Sequence, residues 1–437
     1  MRGPCRPTDA MRVLDVSRPT FSRLTRTWAS RLLVSGRARA TRYLGVREIL
    51  DAGQAVPVTE IQPDGTSLRV AVLHGVLPRA FWLASTQAAS EGYFEDLPYV
   101  LHEMRPAGFL GRLIPRLHPE LGFPLDIGLW TADNVVAYCS RMGWDLPGNL
   151  VLGEPAWKKF LESTRADVAY VADGERMRRY PSMADDVLGT GQAGSSAAGE
   201  QPKFLVARSQ NGRAALVKFS PPTTNGLAER ISDLLVAEHL ALESMRTYGQ
   251  DAARTELLFA GGRTFLESER FDRLPGHGRR GVISLFALDA QFLGALDGWI
   301  STAERLSVLG VVPTDAVLTV RWRQRFGELI GNTDMHAGNL MFFMQALKVH
   351  ALAPAYDMSP ARYAPRQSEL PELAPLAPVF PGPDDGAVWA SVCEAAEDFW
   401  RAVERHDAIS PSFRALAARN ARVVRQQAEL ARRLPRG

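Results

Sequence analysis

Gly331-Asn332-Thr333-Asp334-Met335-His336-Ala337-Gly338-Asn339 is the stretch from which the fold is predicted. Asp334 and Asn339 lie five positions apart, which is the separation between the base and a metal ligand in a kinase catalytic loop. Asp357 follows, after an apolar run from Leu340 to Phe343, where a second metal ligand would be needed. The spacing predicts a phosphoryl-transfer site, which also requires a phosphate-binding loop, a lysine, a partner glutamate and a strand that binds the nucleotide base.

The length and composition are those of a multidomain globular protein. The chain has 437 residues, of which 46% are hydrophobic and 23% charged. It is too long for one typical core, so about two or three domains are expected. The sequence contains no apolar run of membrane-spanning length and no signal-peptide pattern, which predicts a cytoplasmic protein without a membrane contact. Its three cysteines, Cys5, Cys139 and Cys393, are far apart and predict neither a disulfide framework nor a zinc site.

Positive charge is concentrated at the amino terminus. Residues 1–47 contain eleven arginines and only Asp9 and Asp15 as acids, a net charge of +9. Because the whole chain carries a net charge of +3, the remainder carries −6. A basic segment on an acidic body indicates a nucleic-acid contact confined to one end.

Residues 1–46 resemble a winged helix-turn-helix module that binds DNA. The pattern predicts helices at 8–14 and 18–28, the second capped by Ser17, and a two-stranded wing from 32–34 and 41–44. A surface-charged helical cap is the alternative interpretation. The first helix of such a module would precede Thr8, and residues 1–6 are too few to form it. The candidate DNA contacts are Arg18, Thr20, Ser22, Arg23 and Arg26 on the second helix, and Arg37 and Arg39 in the wing.

Two glycine-rich patterns precede the predicted lysine strand. Gly189 to Gly194 matches G-x-G-x-x-G, and Gly194 to Gly199 has the glycine spacing of a P-loop. Glu200 occupies the position at which a P-loop requires lysine, so the P-loop interpretation fails. A flexible linker remains an alternative for this stretch.

A predicted hairpin and a predicted helix supply the lysine and its partner. Residues 203–206 and 215–219 form strands around an Asn-Gly turn, and Lys218 lies among apolar neighbours, as a kinase lysine does. Glu238 falls on the apolar stripe of the next helix, where an unpaired carboxylate would be costly, so we expect it to pair with Lys218. Glu229, off the stripe, is the second choice, and an edge-strand lysine that points to water is the alternative for Lys218. The stripe consists of Leu227, Ile231, Leu234, Leu235 and Leu242.

The remaining parts of the predicted site lie further along the chain. A strand from Thr264 ends in Glu269-Arg270-Phe271-Asp272-Arg273, a position suited to an adenine hinge or to an ordinary strand end. A hairpin from 340–343 and 348–352 would bring Asp357 opposite Asn339, so that both could coordinate magnesium. Asp334 would accept or orient the proton of the substrate hydroxyl. His336 could steady that loop, and a metal hydrolase is disfavoured because no second histidine cluster follows.

Taken together and in this order, the motifs resemble the HipA family of bacterial serine/threonine kinases, which are toxins of toxin–antitoxin systems. The resemblance runs from Arg47 to the C-terminal helices, and the basic module together with residues 104–112 resembles the YjjJ-like subgroup. One departure is Gly338, where many relatives have lysine. The motifs that carry the resemblance are Ser196–Lys203, Lys218, Glu269–Arg273, Asn332–Asn339 and Tyr356-Asp357.

The resemblance implies an α+β, protein-kinase-like fold with a mixed αβ N-terminal lobe and a mainly α-helical C-terminal lobe. It implies three domains, at 1–46, 47–166 and 167–437, with ATP and Mg²⁺ as cofactors. It also implies autophosphorylation of Ser196, with Ser195 as the fallback, in the phosphate loop. The nucleotide contacts that it implies are Gly199, Gln201, Lys203, Lys218, Glu269, Phe271 and His336.

The expected function is that of an ATP-dependent protein serine/threonine kinase toxin with its DNA-binding module in cis. The expected partners are a protein substrate, for which a translation factor is reasonable, DNA, and an antitoxin or a second copy of the chain. The alternative is a DNA-binding regulator whose kinase-like domain senses nucleotide with weak catalysis.

Overall fold

The computed structural model describes residues 3–85, 90–165, 170–191, 201–208, 213–366 and 369–433. It is an α+β fold, as predicted. The helices are α1 (Pro7–Leu14), α2 (Arg18–Thr27), α3 (Gly108–Leu117), α4 (Ala132–Met142), α5 (Glu154–Arg165), α6 (Arg176–Gly191), α7 (Gly226–Thr247), α8 (Leu285–Phe292), α9 (Trp299–Val308), α10 (Thr314–Ile330), α11 (Trp389–Arg405) and α12 (Pro411–Arg433).

Four antiparallel sheets accompany these helices in the described ranges. Their strand orders are β1-β2, β6-β5-β4-β3-β7, β10-β11-β9-β8 and β12-β13-β14. The strands are β1 (Leu32–Ser35), β2 (Arg42–Gly45), β3 (Ala55–Ile61), β4 (Ser67–Val76), β5 (Ala80–Ser85), β6 (Gly92–Phe94), β7 (Leu150–Leu152), β8 (Lys203–Ala207), β9 (Ala214–Phe219), β10 (Thr255–Ala260), β11 (Arg263–Glu269), β12 (Gly281–Ser284), β13 (Met341–Gln345) and β14 (Lys348–Leu352).

The N-terminal module contains the predicted two helices and two-stranded hairpin. Phe21 of α2 is buried and its ring meets the ring of Tyr43 edge-on, with centroids 5.3 Å apart. Leu44 of β2 packs with Val76 and Ala80 of the next sheet, so the module is joined to it by apolar contact. The predicted side-chain cap is wrong, because the Ser17 hydroxyl donates to Thr20 Oγ1, at 3.1 Å, and makes no capping hydrogen bond to α2.

The five-stranded sheet and α3 to α5 form the middle of the chain. A tight turn joins β3 and β4, and in it Asp64 accepts a hydrogen bond from the Thr66 amide at 2.9 Å. Gly65 in this turn has φ +83°, and a Cβ there would lie 2.3 Å from the Gly276 carbonyl oxygen. The position therefore requires glycine both for its backbone conformation and for the close approach of the 274–278 loop.

The sheet β10-β11-β9-β8 with α6 and α7 forms the smaller lobe around the predicted lysine. β9 lies between β11 and β8, so Lys218 is not on an edge strand. The G-x-G-x-x-G interpretation is wrong at its first half, because Gly189 and Gly191 belong to the last turn of α6. Residues 192–200, which include the rest of that pattern, lie outside the described residues.

The larger lobe is mainly helical, with the small sheet β12-β13-β14 at its border. The predicted hairpin is confirmed, and its two turn residues Ala346 and Leu347 both have positive φ, +49° and +59°. α10, α11 and α12 pack around Phe399 and Trp400, whose side chains are fully buried. Burial of side chains of this size stabilises the lobe by about 1.5–3 kcal/mol each.

In the parts of the chain that the structure describes, none of the helices combines the length and the apolarity needed to cross a bilayer.

Candidate active site

Helix α7 places a carboxylate against the lysine strand. Asn225 caps the helix, since its side-chain oxygen accepts from the amides of Leu227 and Ala228 at 3.1 and 2.9 Å. Glu238 is 6% exposed, so the prediction that it faces inward is confirmed, whereas Glu229 is exposed. The predicted apolar stripe is partly confirmed, since two of its five leucine and isoleucine positions are buried and three are half-buried. α7 packs against the sheet on one side and α11 on the other, so residues off the stripe are buried as well. The half-buried residues are Leu227, Ile231 and Leu234.

Lys218 lies between two carboxylates. Its Nζ donates to Oε1 and Oε2 of Glu238 at 2.7 and 2.8 Å, and it also donates to Oδ1 of Asp357. Lys218 is 6% exposed. The strand, the helix and the segment after β14 therefore meet at one buried ammonium group.

The three groups shift one another's protonation. Burial would lower the pKa of Lys218, but Asp357 and Glu238 outweigh it and raise that pKa above its usual value. Burial likewise would raise the pKa of Asp357, but Lys218 and Lys203 hold it below its usual range. For Glu238, burial prevails over the ion pair with Lys218, and the pKa is raised. Lys218 therefore lies between a carboxyl group with a lowered pKa, that of Asp357, and one with a raised pKa, that of Glu238.

The loop after α10 is shaped by its own side chains. α10 ends at Gly331, which has φ +76°, and the buried Asn332 then accepts from the Asp334 amide at 2.9 Å. Asn339 donates its side-chain N–H to the Asp334 carbonyl at 2.9 Å and closes the loop. The carboxylate of Asp334 is exposed. The loop therefore fixes the backbone of Asp334 while leaving its carboxylate accessible.

The same loop is tied to the segment that carries Asp357. The Tyr356 hydroxyl donates to the Gly338 carbonyl at 2.7 Å, and Asn332 donates to the Asp357 carbonyl at 3.4 Å. Trp299, at the start of α9, donates to the His336 carbonyl at 2.9 Å. His336 itself is exposed, and its Nδ1 accepts from the Gly338 amide at 3.1 Å. Asn332 and Tyr356 were not among the predicted site residues, because neither carries the charge or spacing by which catalytic groups are found.

Asn339 and Asp357 offer the kind of ligands that magnesium takes. The Asn339 amide nitrogen is used by the Asp334 carbonyl, which directs its amide oxygen to other partners. Asp357 offers a carboxylate whose depressed pKa keeps it ionised at neutral pH. Oxygen ligands of this type suit Mg²⁺, which is bound in kinases by one aspartate and one asparagine beside the phosphates. The donor set is compatible with a magnesium ion.

The end of β11 is the segment predicted to be an adenine hinge. Glu269 is exposed, and its amide donates to the Arg254 carbonyl at 2.8 Å. The ring of Phe271 packs against the rings of Tyr356 and Phe343, with centroids 5.9 Å apart in both pairs. Within the described ranges, the Phe271 amide has no hydrogen-bond partner, which leaves a donor for a ligand.

The structure shows only part of the predicted phosphate loop. Gln201 donates to the Phe219 carbonyl at 2.5 Å, and Lys203 of β8 lies opposite Lys218 of β9. These contacts bring Gln201 and Lys203 to the lysine strand. The predicted residues Ser195, Ser196 and Gly199 lie outside the described residues.

The predicted DNA contacts lie at the other end of the chain. Arg18, Arg23, Arg26 and Arg37 are exposed. Thr20 and Ser22 are half-buried on α2, and Ser22 Oγ accepts from Arg26 at 3.3 Å, which orders that arginine along the helix. The side chain of Arg39 is outside what the structure describes.

An ion cluster at the end of β11 was missed by the sequence interpretation. Asp272 accepts from Arg270 at 2.9 and 3.0 Å and from Arg273 at 2.8 Å, and Arg273 also donates to Asp145 at 2.8 Å. A signal was available, since three charged residues in four positions after a strand must be solvated or paired. The partner Asp145, far away in the sequence, carried no signal.

Comparisons with known proteins identify two families along the chain. Residues 195–428 match the HipA-like C-terminal domain, and residues 52–161 match the middle domain of the YjjJ-like toxin. Toxin YjjJ of Escherichia coli strain K12 is 32% identical over 438 residues, which cover 99% of this chain and 98% of that protein.

Two solved structures are similar at low sequence identity. The HipA, HipB and operator DNA complex of the Shewanella oneidensis MR-1 toxin–antitoxin system contains a chain with a TM-score of 0.49 and 15% identity, covering 85% of this chain and 97% of that one. The Helicobacter pylori proinflammatory kinase CtkA has a TM-score of 0.37 and 13% identity, covering 54% of this chain and 98% of that one. On the family matches and the full-length relative, the chain belongs to the family of HipA-like toxins, in its YjjJ-like branch.

Proposed function

We propose that this chain is an ATP-dependent protein serine/threonine kinase that acts as a toxin and carries a DNA-binding module in cis. The observation that carries the proposal is the buried Lys218 between Glu238 and Asp357, next to a loop that presents Asp334 and Asn339. A lysine, its glutamate, a catalytic aspartate and two oxygen ligands are the set that phosphoryl transfer requires.

The lysine and glutamate act as a positioning pair. Glu238 holds the Lys218 ammonium group at 2.7 Å, and the ammonium group in turn binds the phosphates of the nucleotide. Asn339 and Asp357 would hold magnesium, which would neutralise charge on those phosphates when it is bound. The Phe271 amide and the backbone near Glu269 would hydrogen-bond the adenine. Gln201, Lys203 and His336 are further proposed nucleotide contacts.

Asp334 acts on the substrate hydroxyl. Its carboxylate accepts the hydroxyl proton as the serine or threonine oxygen bonds to the γ-phosphorus and the bond to the bridging oxygen breaks, releasing ADP. Its position is set by the hydrogen bonds of Asn332 and Asn339 to the loop backbone. Fixed orientation of this kind lowers the entropic cost of reaching the transition state.

The exposed arginines of the N-terminal module support DNA as a partner. The related HipA structure is described as a complex with HipB and operator DNA. In this chain the module at residues 1–46 would contact operator DNA in cis, and an antitoxin or a second copy of the chain would be a further partner. A translation factor remains a reasonable protein substrate.

Phosphosite mapping after incubation with ATP and Mg²⁺ tests the kinase proposal directly. We expect phosphate on Ser196 in the wild-type protein, because the family resemblance implies that this serine is the one that is autophosphorylated. A phosphoserine there would add about −1.5 to −2 charges beside the phosphate site and would oppose ATP binding. Mass spectrometry of wild type, Ser196→Ala and Asp334→Asn measures this.

The Ser196→Ala variant is the control for site assignment. Phosphate on Ser195 in both the wild-type protein and Ser196→Ala would show that Ser195, not Ser196, is the regulatory site. A wild-type protein that incorporates no phosphate over a range of ATP and Mg²⁺ concentrations would contradict the kinase proposal.

DNA binding is expected to weaken steeply with salt. Each phosphate contact contributes about −0.9 to the slope of log affinity against log salt concentration, so Arg23→Ala should make the slope less steep by about 1. Gel shifts with a duplex from upstream of its own gene, and with a scrambled duplex, measure the slope. Arg405→Ala removes an exposed arginine of α11 and serves as the matched control. Equal slopes for wild type and Arg23→Ala would exclude Arg23 from the interface.

One observation favours the second candidate, a DNA-binding regulator with a weak, nucleotide-sensing kinase domain. A Cβ added at Gly338 would lie 2.9 Å from the His336 ring, so the loop cannot take the lysine that many relatives have there without a shift of that ring. Loss of this positive charge would weaken phosphate binding. ATP binding without phosphate transfer, together with an operator affinity that changes with ATP, would favour this candidate.

A further inference from the structure

The middle of the chain binds the segment that follows β11 through ion pairs and hydrogen bonds. The residues after Glu269 enter an ion cluster of three arginines and two aspartates, Arg270, Arg273 and Arg279 with Asp272 and Asp145. The three guanidinium groups are about nine-tenths buried or more. Asp145 lies between α4 and β7 and belongs to the part of the chain that matches the YjjJ-like middle domain.

Asp145 is the middle domain's carboxylate in this cluster. Its Oδ1 accepts from Nε and Nη2 of Arg273 at 3.2 and 2.8 Å. It lies 3.6 Å from Arg279 and 3.8 Å from Arg270. Burial alone would raise the pKa of Asp145, but these three arginines hold it below its usual range. The carboxylate is therefore ionised at neutral pH and offsets the repulsion among the arginines.

Hydrogen bonds between side chains and the backbone add to these ion pairs. Arg273 donates to the Gly148 carbonyl at 2.9 Å and to the Leu146 carbonyl at 2.6 Å. The Gly148 amide donates to Asp272 at 2.8 Å, and Arg279 donates to the Trp144 carbonyl at 2.8 Å. The segment 144–148 is thus bound to residues on both sides of the 274–278 loop.

Phe271 lies within the 270–273 segment that these contacts hold. Its neighbours Arg270 and Asp272 are bonded to each other, and its ring packs on Tyr356, which precedes Asp357. Since the Phe271 amide is the donor proposed for adenine, its position depends on the ion cluster on one side and on Tyr356 on the other.

We propose that Asp145 is a positioning residue for adenine binding, so that the middle domain sets the affinity and base selectivity of the nucleotide site. The inference rests on the proposed kinase function and deepens it. Without the Asp145 charge, three buried guanidinium groups would share Asp272 alone, and their repulsion would displace the 270–273 segment. The hydrogen bonds to the adenine edge would then be lost, while Asp334 and Lys218, which Asp145 does not contact, would keep their geometry.

The test uses the full-length protein with Asp145→Asn, which keeps the side-chain shape. Because the hydrogen bonds to the adenine edge are lost, we expect the KM for ATP to rise by about tenfold. The kcat should change by less than about twofold, because a contact that is equally strong in the ground state and the transition state affects KM alone. The preference for ATP over GTP should fall, whereas a role in general stability would leave it unchanged. Asp145→Glu should restore part of the ATP affinity.

Glu154→Gln is the matched control. It breaks the exposed ion pair between Glu154 and Arg69 in the same domain, so KM, kcat and base preference should match wild type. If Asp145→Asn does not fold, Arg273→Lys replaces it, since lysine keeps the charge and loses the forked contacts to Asp145 and the carbonyls. Calorimetric titration of wild type with MgATP separates the two proposals. Binding by wild type with an unchanged KM and base preference in the folded variants overturns this inference alone. Absence of binding by wild type overturns the inference and the proposed function together.

Discussion

Replacing Asp334 with asparagine is expected to slow phosphoryl transfer by about 10²- to 10⁴-fold, the usual contribution of a positioned general base. Asparagine has the same shape but cannot accept the hydroxyl proton. Because the Asp334 carboxylate is exposed and Asn332 and Asn339 bond its backbone instead, the loop should keep its structure. Transfer of radiolabelled phosphate from ATP to the protein itself measures the rate.

Stability separates a catalytic effect from unfolding. The free energy of unfolding of Asp334→Asn should stay within about 0.5 kcal/mol of wild type, as for other surface substitutions. Asp315→Asn, at an exposed position in the first turn of α10, is the matched control and should label like wild type. Labelling of Asp334→Asn at the wild-type rate would remove Asp334 from the mechanism.

Replacing Lys218 with methionine is expected to abolish ATP-dependent labelling and to destabilise the protein by about 3–5 kcal/mol, since it leaves the buried carboxylate of Glu238 without its partner. Asp357 loses the same partner and would repel Glu238. Urea unfolding followed by tryptophan fluorescence measures the loss. Lys348→Met, at an exposed position on β14, is the matched control and should unfold like wild type.

The stability difference should also depend on pH. The pKa of Asp357 is depressed in the folded wild-type protein, so its contribution is present above the unfolded value, near 3.8, and is lost as the pH falls through the folded value. In Lys218→Met, acidification can instead neutralise the carboxylates of Glu238 and Asp357. Their repulsion is then lost, and the variant regains stability. The gap between wild type and variant should therefore be large near pH 7 and should narrow as the pH falls toward and then below about 4. A gap that is constant over this range would show that Lys218 stabilises the fold by packing alone.

A rise in pH to strongly alkaline values should also lower the stability of the wild-type protein. The pKa of Lys218 is raised above its ordinary value of 10.5 by Asp357 and Glu238, although burial works against them. The stability that this ammonium group supplies is therefore complete below the unfolded pKa and is lost as the pH rises through the folded pKa. Lys218→Met lacks this alkaline step.

Local sequence patterns predicted many elements of the fold. The hairpins of β8 with β9 and of β13 with β14 were predicted from short apolar runs on either side of a turn, and the structure has both strand pairs. The family resemblance, which rested on motifs in a set order, is confirmed by the full-length relative. The sequence predictions were wrong or incomplete where tertiary packing overrode the local pattern. α7 is enclosed on more than one side, and α6 continues through Gly189 and Gly191.

The sequence by itself determined which side chains could carry phosphoryl transfer, because the spacing of Asp334, Asn339 and Asp357 is a local property of the chain. It also predicted that Glu238 needs a partner, because burial of an unpaired carboxylate is costly. The roles of these residues stay predictions until the variants are measured.

The tertiary structure alone decided which distant groups meet. Lys218 contacts Asp357 across 139 positions of the chain, and Arg273 contacts Asp145 across 128. Local periodicity reports which face of a helix or strand is buried, but it does not report which other segment covers that face. The packing of the lobes and the middle domain brings these charges together, and the burial of Lys218 and Arg273 strengthens both ion pairs.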